Sequence, residues 1–247
     1  MNVEIQGLVR SFRQTRAVAG VDLSAGPGVF GLLGPNGAGK TSLLQMMATI
    51  SRPDSGDIRL LGRDPADHRQ RRKIRRQLGY LPQTLSYYPG FTVTEYVEYF
   101  ARLKEMPAVK VPAAAARAIE RAGLDGRTRS RLRTLSGGML RRAGIAQAIV
   151  NDPKLLLLDE PTAGLDPEQR MEFRALLREI GAESTVIVST HLVEDVGVAC
   201  AQVALMLAGK IVFSGTPGDL AALGSGHDTG DAPLERGYSA VLTAARS

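Results

Sequence analysis

Cysteine, tryptophan and long apolar segments are scarce in this 247-residue sequence. Cysteine occurs once, at Cys200, and tryptophan not at all, so an internal disulfide is excluded. The longest apolar stretch, residues 196–209, is interrupted by Gln202 and is shorter than the ~20 residues of a membrane-spanning helix. Residues 1–5 lack the basic start and apolar stretch of a secretory signal. We therefore expect a protein of the reducing cytoplasm that does not cross a bilayer by itself.

Aromatic residues make up only 5% of the chain, and none interrupts its most basic segment. The net charge is +6, and much of it lies in the run His68–Arg76. A nucleic-acid surface interleaves aromatic side chains as stacking platforms. The run instead fits the solvated face of a helix whose apolar side carries Ile74 and Leu78. We expect no nucleic-acid partner.

The N-terminal part of the chain is predicted to be rich in β-structure. Residues 3–9, 21–23 and 29–33 have strand-like patterns and are separated by Gly-rich turns. Residues 42–50 have the apolar spacing of a helix packed on a sheet. This region predicts an antiparallel β subdomain followed by a strand, a loop and a helix.

The middle of the chain is predicted to be a helical insert over residues 92–150. It opens with a helix cap at Thr92 and Glu95 and includes the alanine run 113–116. Beyond it, helical segments alternate with buried strands at residues 155–158, 186–189 and 203–207, which indicates a mostly parallel sheet. The fold class is therefore α/β.

We expect residues 1–223 to form one domain, because the chain is at the upper end of what a single domain spans. Residues 224–233 are rich in Gly, Asp and Ser, which is typical of a flexible connector. A short helix over residues 234–245 follows. The prediction thus divides the chain into the domain 1–223 and the tail 224–247.

A phosphate-binding loop lies between the strand 29–33 and the helix 42–50. Its glycines allow backbone N–H groups to point at phosphate oxygens, and the helix N-terminus adds a favourable dipole. Lys40 would reach the β- and γ-phosphates of ATP, and the Thr41 hydroxyl would bind Mg²⁺. The predicted nucleotide-binding residues here are Gly34, Pro35, Asn36, Gly37, Ala38, Gly39, Lys40, Thr41 and Ser42.

Two further segments carry chemistry that the local sequence leaves open. The run 155–158 ends in Asp159 and Glu160, which would supply a Mg²⁺ ligand and a group that activates water. Alone, it is equally a strand that runs into a solvated turn. Ser136, Gly137 and Gly138 precede a helix, which is a second phosphate-ready N-terminus or an ordinary serine cap with a loop.

Taken together, these segments resemble the ATP-binding-cassette (ABC) ATPases over about residues 3–220. The chain has the P-loop NTPase elements of that family in the family's order. These are an aromatic residue before the loop, the phosphate loop, a glutamine loop, the signature segment, the two carboxylates, a D-loop and a switch histidine: Phe12, Gly34–Thr41, Gln83, Leu135–Gly138, Asp159–Glu160, Gly164–Asp166 and His191. Met139 departs from the usual glutamine, and Met139 followed by Arg141–Arg142 resembles drug and antibiotic exporters.

The resemblance implies a role for each remaining residue. Phe12 would stack on adenine, and Gln83 would join the metal site and link it to a partner subunit. His191 would bond the γ-phosphate and act in catalysis with Glu160, Gln83 and Lys40. Ser136, Gly137, Gly138 and Asp166 would complete the nucleotide site, and Thr41, Gln83 and Asp159 would hold Mg²⁺.

The resemblance also implies partners. ABC ATPases work as head-to-tail pairs, so we expect a homodimer with ATP between the phosphate loop of one copy and the signature of the other. The expected function is to power export through a separate membrane permease, from the cytoplasmic face of the membrane. An importer ATPase and a soluble single-cassette assembly factor are the alternatives. A P-loop kinase or GTPase would leave Ser136–Gly138, Asp166 and His191 unexplained.

Overall fold

A computed structural model describes residues 1–13, 15–225 and 230–245, and these form two β-sheets with helices packed on them. The strands are β1 Val3–Phe12, β2 Thr15–Ala25, β3 Gly28–Leu33, β4 Ser55–Leu60, β5 Leu78–Leu81, β6 Leu155–Asp159, β7 Thr185–Thr190, β8 Gln202–Leu207 and β9 Lys210–Gly215. The helices are α1 Lys40–Met47, α2 His68–Arg76, α3 Val93–Leu103, α4 Val111–Arg121, α5 Gly137–Ile149, α6 Pro167–Gly181, α7 Val193–Ala199, α8 Pro217–Ala222 and α9 Pro233–Ala244.

The smaller sheet is antiparallel and has the order β2-β1-β4. Its strands alternate buried and exposed residues, as in Val3 and Ile5 of β1, because one face covers the core and the other faces solvent. The predicted N-terminal antiparallel part is therefore confirmed. Its third strand, β4, was not predicted.

The larger sheet has the order β5-β6-β7-β3-β8-β9. Its pairs are parallel except for β9, which runs antiparallel to β8 at the edge. Strands β6 and β7 are buried along their whole length, as expected for strands covered by helices on both faces. The predicted mostly parallel α/β core is confirmed.

The segment between β5 and β6 is helical, as predicted. Helix α3 begins with a capping box in which Thr92 accepts from the Glu95 N–H and Glu95 accepts from the Thr92 N–H. Helices α3, α4 and α5 share one apolar core. The division of the chain into a domain 1–223 and a tail stays a prediction.

The basic run was predicted to be a helix, and α2 confirms this over His68–Arg76. The placement of Leu78 on the helix was wrong. The helix ends at Arg76 and Leu78 begins β5, so only Ile74 anchors α2 in the core. Leu78 is buried as part of the sheet core and not as part of the helix.

The C-terminal part packs on the larger sheet. Leu234, Tyr238, Val241 and Leu242 of α9 cover a cluster that includes Leu33 and Leu205. Residues 226–229 of the predicted connector lie outside the described residues. Within the described part of the chain, no helix is long and apolar enough to cross a membrane.

Candidate functional site

Three adjacent strand ends place the predicted nucleotide residues together. Strand β7 lies between β6 and β3 and is parallel to both. The carboxyl ends of these strands therefore lead side by side into Asp159–Glu160, into Thr190–His191, and into the phosphate loop. Ligands of open α/β sheets bind at this edge.

The loop between β3 and α1 has a backbone that only glycine accommodates. Gly37 and Gly39 have φ of +81° and +106°, in the left-handed region. A Cβ at Gly39 would also lie 2.1 Å from the Ala17 carbonyl oxygen. The loop therefore passes close to β2 and turns into the N-terminus of α1. Such a turn leaves backbone N–H groups at the helix start for an anion.

Lys40 is buried at the first position of α1. Its ammonium donates to the Gly34 carbonyl at 2.6 Å and to the Pro35 carbonyl at 3.2 Å, and lies 3.6 Å from a Glu160 carboxylate oxygen. Burial lowers the pKa of Lys40, and the nearby carboxylates of Glu160 and Asp159 oppose that shift. The ammonium thus lies between the loop that would hold phosphate and the carboxylates.

Asp159 is fully buried at the end of β6. The Ser189 hydroxyl donates to its Oδ1, whereas Oδ2 is buried and has no hydrogen-bond partner among the described residues. An unpaired buried carboxylate oxygen suits a hard cation. Mg²⁺ at phosphate sites takes one or two carboxylates together with phosphate and water. These residues fit Mg²⁺.

Glu160 has φ of +49°, a left-handed conformation that costs a non-glycine residue roughly 1–3 kcal/mol. Its N–H donates to the Ser189 carbonyl and hydroxyl oxygens, both at 3.1 Å. Its carboxylate lies 2.9 Å from Nδ1 of His191 on one side and 3.6 Å from Lys40 on the other. The strained turn directs a buried carboxylate between two basic groups.

Two further predicted residues are exposed. Gln83 is exposed in the turn after β5. Phe12, at the end of β1, is 45% exposed, with the Arg10 guanidinium 4.9 Å from its ring centre. An exposed aromatic face is available for stacking.

The signature segment forms the N-terminus of α5. The Ser136 hydroxyl caps α5 by accepting from the Met139 N–H at 3.3 Å. A Cβ at Gly138 would lie 2.9 Å from Oε1 of Gln169 and 3.4 Å from the Gly164 carbonyl oxygen, and Asp166 caps α6 nearby. Across the described parts of the chain, no hydrogen bond or ion pair joins residues 136–138 to the phosphate loop.

Sequence reasoning missed three sets of contacts around the carboxylates. Ser189 connects Asp159 to Glu160. Arg141, earlier considered only as part of the signature pattern, donates to backbone carbonyls beside Glu160. On the other side of the loop, Asp195 accepts from the Thr162 hydroxyl and pairs with Arg174. Of the three, only the contact of Asp195 has a sequence signal, which is an aspartate on the buried side of a helix.

Fold and site together define a nucleotide-binding P-loop protein. The family described as "ABC transporter" matches residues 19–163, more than half of the chain. The chain therefore belongs to the ABC transporter family, and it is an ATP-binding, ATP-hydrolysing cassette.

Characterised relatives match over most of the chain. It is 38% identical to Nod factor export ATP-binding protein I of Paraburkholderia xenovorans, covering 92% of this chain and 74% of the relative. It is also 38% identical to the daunorubicin/doxorubicin resistance ATP-binding protein DrrA of Streptomyces peucetius, covering 90% and 68%. The dimeric bacterial ABC transporter cassette MJ0796 has the same fold, with a TM-score of 0.79 at 23% identity over 87% of this chain and 98% of that one.

Proposed function

We propose that this chain is the ATPase subunit of an exporter, and that Glu160 is its catalytic base. The observation that carries the catalytic assignment is the buried Glu160 carboxylate, held between Lys40 and His191 at the edge of the phosphate loop. A base must lie within hydrogen-bond reach of the water that it activates. Glu160 takes a proton from the water that attacks the γ-phosphate of ATP.

Lys40, His191 and the loop stabilise the charge that develops on the transferred phosphoryl group. Donors that are already in place when the reaction begins stabilise that charge without reorganisation. Lys40 turns from the loop carbonyls toward the β- and γ-phosphates, while N–H groups of Gly37 and Gly39 bind phosphate oxygens. His191 is half-exposed and reaches the γ-phosphate from the end of β7.

Mg²⁺, when bound with ATP, neutralises phosphate charge. Asp159 would hold it through Oδ2, together with Thr41 and Gln83. Ser189 would orient the carboxylate through Oδ1.

The signature residues act on a second copy of the chain. Ser136, Gly137 and Gly138 form an anion-ready helix start on α5, and no hydrogen bond among the described residues joins them to the phosphate loop of their own chain. A two-fold dimer brings each signature to the partner's loop, since the same two surfaces meet twice. The dimeric cassette with the same fold supports this arrangement.

The assignment of an export function is supported by relatives, two of which are named for export or for drug resistance. Transport in this proposal takes place through a separate membrane permease, which this chain powers by ATP hydrolysis. We place the chain on the cytoplasmic face of the membrane, bound to that permease.

The contact surface that we propose lies between the strand core and the helical segment. A groove of about 940 Å³ opens there, between the end of α1, β4, α2 and the end of α3. Six arginines and three acidic residues line it, and Ile50 is 61% exposed on its wall. Near the Gln83 turn, Tyr88 stacks with Phe91 at 5.0 Å and is exposed. A cationic surface that also exposes the apolar side chains of Ile50 and Tyr88 fits an acidic amphipathic segment of the permease.

The catalytic assignment is tested with Glu160→Gln. The amide keeps the shape and burial of the side chain but cannot accept the proton. We expect ATP hydrolysis to fall about 10²–10⁴-fold, with ATP affinity retained. A variant that hydrolyses ATP at the normal rate would show that Glu160 is not the base.

The membrane assignment is tested with Ile50→Asp and the matched control Val109→Asp. Val109 is 87% exposed and does not line the groove. We expect the unmodified and Val109→Asp proteins to co-purify with a multi-span membrane protein and Ile50→Asp to lose it, with ATPase activity of the isolated proteins unchanged. An unmodified protein that never fractionates with membranes would favour the soluble single-cassette alternative.

A further inference from the structure

Arg141 is a buried cation without a carboxylate partner in the described part of the chain. It lies on the first turns of α5, five residues after Ser136, and is only 5% exposed. No acidic oxygen there lies within ion-pair distance of its guanidinium. A buried charge of this kind is costly unless every donor is satisfied, so its partners indicate what it does.

The donors of Arg141 go to backbone carbonyls on two separate segments. One terminal nitrogen donates to the Pro82 carbonyl at 2.8 Å and to the Gln83 carbonyl at 3.1 Å. The other donates to the carbonyls of Asp159 and Glu160, the latter at 2.7 Å. Nε faces the Pro161 carbonyl at 3.3 Å. The planar guanidinium, which fixes the angles among its donors, therefore spans the glutamine turn and the carboxylate turn.

The turn that Arg141 holds is the strained one. Glu160 has a positive φ, and such conformations persist where the surroundings fix them. Ser189 fixes the Glu160 N–H, and Arg141 fixes its carbonyl from the opposite side. The direction of the Glu160 side chain therefore depends on a residue of the signature helix.

We propose that Arg141 is a positioning residue for ATP hydrolysis, which sets the Glu160 and Gln83 backbones relative to the signature helix α5. It touches neither ATP nor the attacking water. The position of the base in one site then follows the position of α5, whose N-terminus serves the other site of the dimer. This inference rests on the proposed roles of Glu160 and of the dimer.

The test compares Arg141→Gln and Arg141→Lys with the control Arg142→Gln. Arg142 is the next residue but pairs with Glu172 at the surface, at 2.6 Å. For each protein, kcat, the dissociation constant of ATP and the melting temperature are measured. Lysine keeps the charge and three donors but lacks the planar fork.

We expect Arg141→Gln to lower kcat about 10²-fold, the loss typical of a catalytic group displaced by about 1 Å. ATP affinity should be retained, because no hydrogen bond in the described part of the chain joins Arg141 to Lys40 or to the loop glycines. Arg141→Lys should recover part of kcat, and Arg142→Gln should keep all of it.

The proposal is overturned if both Arg141 variants keep the normal kcat, or if kcat and ATP affinity are lost together. If Arg141→Gln does not fold, Arg141→Lys decides by the same criteria. The Glu160→Gln protein distinguishes failure of this inference from failure of the proposed catalytic base. If it loses hydrolysis while the Arg141 variants do not, only this inference fails. If it hydrolyses ATP normally, the proposed base itself is wrong.

Discussion

At the residue scale, the site depends on a serine that the sequence did not single out. The Ser189 hydroxyl donates to Oδ1 of Asp159 and accepts from the Glu160 N–H. One side chain of β7 thus orients both the proposed metal ligand and the proposed base. Partners behind a metal ligand orient it and affect metal binding.

We predict that Ser189→Ala raises the Mg²⁺ concentration needed for half-maximal ATPase activity by about 10-fold to 100-fold. The hydroxyl is lost, so Asp159 and the turn at Glu160 lose a shared partner. Titration of activity with Mg²⁺ at saturating ATP measures this.

The matched control for this prediction is Ser184→Ala. The Ser184 hydroxyl is also buried, but it donates to the Pro153 carbonyl at 2.8 Å, at the opposite end of the sheet. It should leave the Mg²⁺ requirement unchanged. Equal Mg²⁺ curves for Ser189→Ala and the unmodified protein would contradict the role given to Ser189.

The candidate residues could be predicted at this scale where a short motif fixes both the residue type and the local backbone. The glycines of the phosphate loop need positive φ, and Asp159 and Glu160 end a buried strand. Arg141 and Ser189 could not be predicted because their partners are backbone carbonyls, N–H groups and a carboxylate far away in sequence. Such contacts depend on strand order and leave no local pattern.

At the element scale, the structure differs from the prediction mainly at short or edge segments. Strands β4 and β9 were missed, and Leu78 was assigned to the wrong element. β4 is mostly exposed and β9 is only partly buried, so their sequences lack a strong alternation. The long elements with caps or continuous apolar runs were confirmed, because a full face of each is buried.

Lys104 directly follows α3, and its burial makes the stability of the folded chain depend on pH. The Lys104 ammonium donates to the Leu78 carbonyl oxygen. Burial, with a smaller contribution from Arg75, lowers the pKa of Lys104 from 10.5 to about 8. Below pH 8 the folded and unfolded chains both carry this proton. Between pH 8 and 10.5 only the unfolded chain keeps it, so this group makes the folded state more stable as pH rises.

We predict that Lys104→Met removes this contribution. The free energy of unfolding of the unmodified protein should gain on the order of 2–3 kcal/mol relative to the variant between pH 8 and 10.5. Urea unfolding at several pH values measures the difference. The control is Lys110→Met, which changes an exposed lysine just before α4. Its free energy of unfolding should depend on pH in the same way as that of the unmodified protein. The same pH dependence for Lys104→Met would contradict the account.

At the scale of the whole molecule, the proposal is that one chain contains halves of two different sites. The carboxyl ends of β3, β6 and β7 bring the loop, the carboxylates and His191 together. Helix α5 begins at the signature, with Ser136 as its N-cap. The resemblance to ABC ATPases gave this division from the order of motifs alone, whereas the connection through Arg141 required the packing of α5 on the two turns.

The measurement that tests the two-chain site most directly uses Lys40→Ala and Ser136→Arg proteins. Each homodimer has two defective sites, since every site needs the loop of one copy and the signature of the other. A mixed dimer has one doubly defective site and one intact site.

Mixing the two inactive proteins should restore ATP hydrolysis. The expected rate is up to about a quarter of that of the unmodified protein, because half of the random dimers are mixed and half of their sites are intact. The control mixes each variant with itself at the same total concentration. A mixture that is no more active than its two components would contradict a site shared between two chains.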